Sequence, residues 1–209
     1  MTEHRTAIRC LRKADDQMAR VIDKVGPCRL SPTGGRFYVL ANSIVSQQIS
    51  TAAARTISKR LRKLCGGRIS ATGLHQLSDD ALQGIGLSRQ KRAYLQDLTD
   101  RSLDGRLNFR RLPHLDDEAV ISELTAIKGI GRWTAQMFLL FGLGRPDIFA
   151  PGDLGLQNAI QILYTKPGKQ QQKLSEARLL SIAEQWAPWR SVASWYLWRS
   201  LDHDFSSDA

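Results

Sequence analysis

The chain has 209 residues, enough to bury a core as one large domain or two small ones. Hydrophobic residues make up 42% of it and charged residues 24%, the proportions of a folded protein, which excludes a long disordered segment. Lysine and arginine number 30 against 20 aspartates and glutamates, so the net charge is +10 and a polyanion is the expected partner.

The N-terminus and the cysteines exclude further classes of protein. The first residues, MTEHRTAIRCLRKADD, lack the apolar core of a signal peptide, and no stretch is long and apolar enough to cross a membrane. We therefore expect a cytoplasmic protein with no membrane partner. The three cysteines, Cys10, Cys28 and Cys65, are odd in number and far apart, which is typical of reduced residues.

The first third of the chain shows helical periodicity. Apolar spacing predicts a helix from Ala7 to Val25, a loop from Gly26 to Gly35 and a buried helix that begins at Arg36. The buried helix ends in the polar pair Gln47 and Gln48. On the residues alone, these amides would satisfy backbone groups of the following loop.

The next predicted helix is strongly basic. Ser50 is placed to cap it, and Gly66 and Gly67 end it. Its cationic side chains are those of Arg55, Lys59, Arg60, Arg62 and Lys63. Such a cluster either follows a phosphate backbone or forms a solvated face, and the sequence leaves both interpretations open.

Two closely spaced glycines, Gly129 and Gly131, divide an apolar helical run from Asp117 to Phe141. The pattern predicts two helices joined by a five-residue turn. Glycines let the turn approach a ligand closely, and the N–H groups that open the second helix favour an anion. The neighbouring side chains, Lys128 and Arg132, suit a phosphate.

A connection rich in glycine and proline follows the hairpin and ends in Pro151, Gly152 and Asp153. An apolar-periodic run begins at Leu154, so Asp153 lies at a helix start, where the ordinary role of an aspartate is to cap the helix. That role is compatible with a catalytic one, because a cap holds the carboxylate ionised and in a fixed direction.

The last part of the chain comprises a polar loop, 165–173, and two helices between Leu174 and Leu201 that Pro188 separates. These helices carry Trp186, Trp189, Trp195 and Trp198 at helical spacing, which usually indicates a core. No alternating strand pattern is present anywhere, so the predicted fold is all-α.

The motif I-K-G-I-G-R-W-T-A resembles the helix-hairpin-helix of a superfamily of DNA glycosylases, and P-G-D at its spacing resembles their catalytic segment. The resemblance extends from about Phe37 to Leu201 and is strongest to the bacterial DNA-3-methyladenine glycosylase II family. A distant branch, similar to endonuclease III, carries a four-cysteine iron–sulfur cluster near its C-terminus. Because no cysteine follows Cys65, no such cluster is expected.

The resemblance implies an all-α fold of two helical subdomains with the substrate cleft between them. Residues 1–36 and 154–209 are expected to pack together, and residues 37–153 to form a central subdomain that contains the hairpin, 124–141. Relatives of glycosylase II carry an additional N-terminal α/β domain. We expect none here, because too few residues precede Phe37.

By resemblance, the hairpin binds a DNA phosphate. Its backbone N–H donors would be Gly129, Gly131 and Thr134, and its cationic helpers Lys128 and Arg132. A monovalent cation, Na⁺ or K⁺, would lie beneath the phosphate on the carbonyl groups of Thr125, Ile127 and Ile130. No cofactor is expected for the chemistry itself.

The resemblance also assigns the residues that handle the base. The I-V-S-Q-Q-I-S segment is similar to one whose second glutamine enters the duplex where a base is removed, which is Gln48, with Gln47 beside it. The base pocket would be formed by Trp133, Met137 and Trp198 through stacking and cation–π attraction. Many family members have an aromatic residue where Met137 stands, and an ordinary core position for Met137 stays open.

The implied function is that of a monofunctional, monomeric DNA glycosylase that flips out alkylated purines of double-stranded DNA, such as 3-methyladenine and 7-methylguanine, and hydrolyses their N-glycosidic bonds. Asp153 would stabilise the oxocarbenium-like sugar. An alkylated base is cationic and leaves without a general acid. Two alternatives stay open: a non-catalytic DNA-binding module, and a glycosylase for deaminated or oxidised bases. Lyases of the latter kind need a lysine where Trp133 stands.

Overall fold

The computed structural model describes residues 2–165, 173–203 and 205, and these residues form α-helices and no strand. The helices are α1 (Thr2–Ala14), α2 (Asp16–Val25), α3 (Arg36–Ser46), α4 (Thr51–Leu64), α5 (Ala71–His75), α6 (Asp79–Gly84), α7 (Arg89–Leu103), α8 (Asp117–Thr125), α9 (Arg132–Met137), α10 (Leu154–Tyr164), α11 (Glu176–Glu184) and α12 (Arg190–Ser200). The predicted all-α fold is confirmed. Most of the predicted loop 165–173 lies outside the described residues, which omit 166–172. None of the helices in the described ranges has the length and apolarity of a bilayer span.

The helices divide into two compact units. Unit 1 comprises residues 1–31 and 144–209, and unit 2 comprises residues 32–143. The sequence placed 144–153 in the central subdomain, whereas the structure places it in unit 1. Polar contacts explain the difference: Ser191 at the start of α12 donates to the carbonyl of Arg145 at 2.6 Å, and Arg190 forms a bidentate ion pair with Asp147 at 2.7 Å.

Asp15 interrupts the helix that apolar spacing predicted from Ala7 to Val25, so α1 and α2 are separate helices. Its φ of −154° leaves the helical region, and its Oδ1 accepts the N–H of Met18 at 3.1 Å as the cap of α2. Its Oδ2 accepts from the hydroxyl of Tyr164 and from Nε1 of Trp186, each at 2.7 Å. Burial beside this carboxylate raises the pKa of Tyr164. The apolar pattern continues across Asp15, so periodicity alone could not show the break.

The core of unit 1 is formed by α1, α2, α10, α11 and α12. Trp186 and Tyr196 are its largest fully buried side chains, and burial of each removes a large apolar area from water. The Tyr196 hydroxyl donates to the carbonyl of Gly26 at 2.9 Å, which ties α12 to the end of α2. Burial raises the pKa of Tyr196 to about 12, so the hydroxyl stays protonated and able to donate.

The core of unit 2 lies around α3, α7, α8 and α9. In α3, the side chains of Val39, Leu40, Ala41, Ile44 and Val45 are buried, as the sequence predicted for this helix. Lys91 at the start of α7 donates to the Val45 carbonyl at 2.7 Å and so holds the end of α3 against α7. Partial burial lowers the pKa of Lys91.

The second hairpin helix ends differently from its prediction. α9 is α-helical only to Met137, and Phe138–Gly142 follows as a π-helical turn in which the Leu143 N–H binds the Phe138 carbonyl at 3.0 Å. A side chain at Gly142 would lie 2.8 Å from the ring of Phe138, which is fully buried. The wider turn therefore accompanies close packing of the Phe138 ring on the glycine.

Candidate functional site

Asp153 caps α10, as the sequence predicted. Its φ is −76°, and its Oδ1 accepts the N–H of Leu156 at 2.9 Å. Only 7% of the residue is exposed. The carboxylate is therefore buried against the N-terminus of α10.

The turn that leads to Asp153 is fixed by its own hydrogen bonds. The Asp153 N–H donates to the carbonyl of Ala150 at 3.0 Å. The Gln157 side chain, one turn into α10, reaches back to the Pro151 carbonyl at 2.7 Å. The direction of the carboxylate therefore follows from the backbone on both sides of it.

Trp198 on α12 is the second partner of the Asp153 carboxylate. Its indole Nε1 donates to Oδ1 at 2.9 Å, so one oxygen accepts from both the backbone of α10 and the indole. The structure thus brings together two residues that the sequence predicted for the site, 45 positions apart. The bond fixes the indole plane as well as the carboxylate.

Gly155 makes this contact possible, and the sequence analysis missed it. A Cβ at this position would lie 3.0 Å from Cδ1 of Trp198 and 3.1 Å from Oδ1 of Asp153. Its signal was a glycine inside a helix, where glycine is less favourable than alanine by about 1 kcal/mol. A glycine two residues after the Asp153 cap indicates close approach of another group.

The two hairpin glycines, both in unit 2, have different environments. Gly129 has φ +79°, and a Cβ there would lie 2.0 Å from the ring of Tyr94 on α7. Gly131 has φ −91°, and no atom lies within 4 Å of its Cβ position. Gly129 therefore allows the turn to pack closely against the Tyr94 ring. Gly131 leaves the outer side of the turn accessible to a ligand.

Two further side chains hold the hairpin turn. Asp97 on α7 accepts the N–H of Lys128 at 2.9 Å, and Gln47 donates from Nε2 to the Gly129 carbonyl at 2.7 Å. Gln47, predicted beside the wedge, thus contacts the hairpin. No sequence pattern indicated Tyr94 or Asp97, which lie about thirty positions before the turn.

The two cationic side chains of the hairpin differ in whether a carboxylate lies beside them. Both terminal nitrogens of Arg132 bind the Glu118 carboxylate on α8, one of them at 2.9 Å. This hydrogen bonding lowers the pKa of Glu118. Lys128 is exposed and makes no ion pair within the part of the chain that the structure describes. Much of the charge expected from Arg132 is therefore compensated locally.

The three carbonyl groups predicted to hold a cation belong to one turn between α8 and α9. The Ile127 carbonyl accepts the N–H of Ile130 at 3.1 Å and keeps a second lone pair. The Thr125 hydroxyl donates to the carbonyl of Ile121 at 2.8 Å. Backbone oxygens suit Na⁺ or K⁺ as ligands, so the residues fit such an ion, and this site stays a prediction.

Gln48, the predicted wedge, lies in the short connection between α3 and α4. It is exposed and has φ +54°, the one positive value of a residue other than glycine in the described ranges. Strained backbone of this kind is concentrated at functional sites.

The two predicted pocket residues of α9 differ in exposure. Trp133 is 47% exposed, which is unusual for so large an apolar side chain. Met137, one turn later, is 8% exposed, as a core residue would be.

Comparison with known proteins places this geometry in a family. The sequence profile of the HhH-GPD superfamily base excision DNA repair proteins matches residues 41–185. This range includes the hairpin, Gln48 and Asp153. Relatives by sequence include YfjP of Bacillus subtilis, 33% identical over 173 residues, which cover 79% of this chain and 59% of YfjP.

Two solved structures share the fold. The crystal structure of a DNA-3-methyladenine glycosidase from Bacillus halodurans is 36% identical, with a TM-score of 0.80 over 93% of this chain and 88% of that chain. The 3-methyladenine DNA glycosylase Mag1 of Schizosaccharomyces pombe, solved with abasic DNA, is 27% identical, with a TM-score of 0.83 over 95% of this chain and 97% of that chain. The profile match covers more than half of the sequence and contains the hairpin glycines, Gln48 and Asp153, whereas Trp198 lies beyond its end. The chain therefore belongs to the HhH-GPD superfamily of base excision DNA repair proteins.

Proposed function

We propose that the chain is a DNA glycosylase that hydrolyses the N-glycosidic bond of alkylated purines in double-stranded DNA, with 3-methyladenine as its principal substrate. The relatives named for this activity support the substrate class. The observation that carries the chemistry is the buried Asp153 carboxylate, oriented by two N–H donors.

Asp153 acts by electrostatics. A base inside a duplex is out of reach, so the nucleotide is first extruded. Loss of the base gives the sugar oxocarbenium character, which a nearby carboxylate stabilises. Because the Leu156 N–H and the Trp198 indole already orient Asp153, little reorganisation is needed in the transition state. An alkylated base is cationic, so it leaves without protonation.

The remaining assignments belong to the same proposal. The hairpin binds a DNA phosphate at the open side of Gly131, and Gln48 enters the duplex at the vacated base. The carbonyl groups of Thr125, Ile127 and Ile130 would hold an alkali cation, which would add positive charge for the phosphate. Trp133 and Trp198 stack with the cationic base. The enzyme is monofunctional, because Trp133 stands where a lyase has its lysine nucleophile. It works as a monomer on chromosomal DNA in the cytoplasm.

A module that only binds DNA would also use the hairpin, but it would have no use for the carboxylate arrangement. Gly155, an unfavourable residue in a helix, stands at the position where it leaves room for the Trp198 indole beside Asp153. This close contact fixes a charged group rather than extending a core. It therefore favours the catalytic interpretation.

Mass spectrometry of the bases released from methylated, deaminated and oxidised duplexes tests the substrate. We expect 3-methyladenine as the main product, with strands that break only after alkali. Release of hypoxanthine or an oxidised purine alone would show that deaminated or oxidised bases, and not alkylated purines, are the substrates. Release of no base would favour the alternative that the chain only binds DNA. Borohydride trapping of a covalent adduct at the level of a known lyase would refute the monofunctional mechanism.

A further inference from the structure

Three cations form a line along α4. Arg55, Lys59 and Arg62 are spaced by four and three residues, so they share one helix face, and all three are exposed. We call these three residues the α4 stripe. Seven residues of α-helix cover about 10.5 Å, at 1.5 Å per residue.

The α4 stripe has no carboxylate partner. The sequence contains no Asp or Glu between Thr51 and Ser70, and the stripe makes no ion pair with any residue that the structure describes. Several arginines elsewhere are compensated by carboxylates, as in the pairs of Arg132 with Glu118 and of Arg190 with Asp147. The α4 stripe is therefore a row of positive charge that no carboxylate of the described residues compensates.

A groove runs beside the stripe. One part, of about 390 Å³, is lined by all three stripe residues together with Tyr38, Asn42 and Ser46. A second part, of about 710 Å³, adds Arg36 and Arg68. Tyr38 and Arg62 line both parts, so the groove is continuous, and the Arg62 guanidinium lies 5.5 Å from the centre of the Tyr38 ring.

One end of the groove lies next to the connection that carries Gln48, the predicted wedge. Its lining includes Ser46 and Thr51, the residues that flank the connection 47–50 with exposed Gln48. DNA that receives the Gln48 side chain would have its next phosphates near the first residue of the stripe, Arg55.

We propose that the α4 stripe binds the sugar–phosphate backbone of the DNA that flanks the lesion. The inference rests on the proposed function in one respect, that DNA is the substrate. One strand of B-DNA carries a negative charge about every 3.4 Å along the duplex axis, so three successive phosphates span about 7 Å and lie within the length of the stripe. With Arg132 paired with Glu118, the stripe offers three uncompensated cations, whereas the hairpin offers Lys128.

The test compares two triple variants that remove the same charge. Arg55→Ala/Lys59→Ala/Arg62→Ala removes the stripe. Its control changes three exposed cations of α1, spaced by four residues and without an ion pair among the described residues: Arg5→Ala/Arg9→Ala/Lys13→Ala. Fluorescence anisotropy with an undamaged 25-base-pair duplex would give the affinity between 50 and 200 mM salt.

Loss of three phosphate contacts should reduce the slope of log affinity against log salt by about 2–3, at about 0.9 per contact, and should weaken binding at least tenfold at 100 mM. The α1 triple should change the slope by less than 1. Equal effects of the two triples would overturn the inference, as would an unchanged affinity, which is the result expected if the stripe serves an acidic protein.

A second variant covers the case in which the triple does not fold. Arg55→Gln/Lys59→Gln leaves Arg62 on the Tyr38 ring, and it should reduce the slope by about 2. The readout needs no base release. A parent that binds DNA through the stripe but excises nothing would therefore refute the proposed function and leave this inference standing.

Discussion

The indole N–H of Trp198 and the backbone N–H of Leu156 donate to the same oxygen of Asp153, each at 2.9 Å. One bond comes from α12 and the other from the helix that Asp153 caps. Together they fix both the position and the rotation of the carboxylate. Three features can therefore be removed by separate substitutions: the charge of Asp153, the indole bond that orients it, and the space that Gly155 leaves for this bond.

Asp153→Asn should remove base release and leave the fold intact. Asparagine still caps α10 but carries no charge to stabilise the sugar cation. The expected loss is about 3 kcal/mol of transition-state stabilisation, a fall of more than 100-fold in the single-turnover release of 3-methyladenine. Asp116→Asn, which changes the cap of α8, is the control and should change the rate less than twofold. A folded Asp153→Asn protein within a few-fold of the parent would return Asp153 to a purely structural role.

Gly155→Ala should reduce activity without reducing stability. The new methyl would lie 3.0 Å from the Trp198 indole and displace it from Asp153, whereas alanine itself favours a helix by up to about 1 kcal/mol. We expect a tenfold or greater loss of single-turnover rate, because the displaced indole no longer orients the carboxylate that stabilises the sugar cation. Gly84→Ala, at a helix position with open space, serves as the control in both rate and thermal melting. Equal rates for the two variants would contradict the role assigned to the indole bond.

The hairpin glycines should respond oppositely to substitution. Gly131→Val should weaken duplex binding at an unchanged melting temperature, because its Cβ position faces open space on the expected phosphate side. Gly129→Ala should lower the melting temperature, since φ is +79° and the Tyr94 ring occupies the space of the methyl. Calorimetry gives the melting temperature of each variant, and anisotropy gives its affinity for duplex DNA. Full DNA affinity in folded Gly131→Val would remove the hairpin from the interface.

Gln47 should act through Gln48 and the hairpin together. Its side chain binds the Gly129 carbonyl, and its backbone directly precedes the strained Gln48. Gln47→Ala should therefore weaken binding to abasic duplex, and part of this loss should disappear when Gln48 is already alanine. A double-mutant cycle on abasic DNA should give a coupling of about 0.5–3 kcal/mol, the range for residues in contact. Strict additivity would show that the two glutamines act independently.

The sequence predicted the parts of the site that local pattern determines. Asp153 before an apolar helix indicated a cap, and Gly129 and Gly131 indicated a turn, because such signals depend on residues within one turn of each other. The pairing of Arg132 with Glu118 was not predicted, although it decides how much charge the hairpin offers. Fourteen positions separate these two residues, and only the packing of α8 against α9 brings them together.

The break between α1 and α2 at Asp15 also depends on residues that are distant in the sequence. The apolar periodicity continues across Asp15. What distinguishes this residue is its hydrogen bonding to Tyr164 and Trp186, which lie far away in the sequence. An aspartate among charged neighbours carries no local sign that it will be buried. Tyr94 likewise had no pattern linking it to Gly129, because a ring that covers a turn is specified by tertiary packing alone.

The split of unit 1 between 1–31 and 144–209 sets an order of events during synthesis on the ribosome. Asp15 meets its partners only after another 149 and 171 residues have been added, which takes on the order of ten to thirty seconds at about 5–20 residues per second. Unit 2 is a continuous stretch, and its last residue is added before Tyr164 and Trp186 are. The nascent chain therefore carries the whole hairpin sequence while the carboxylate of Asp153 still lacks Trp198, so the contact proposed to orient this carboxylate forms last.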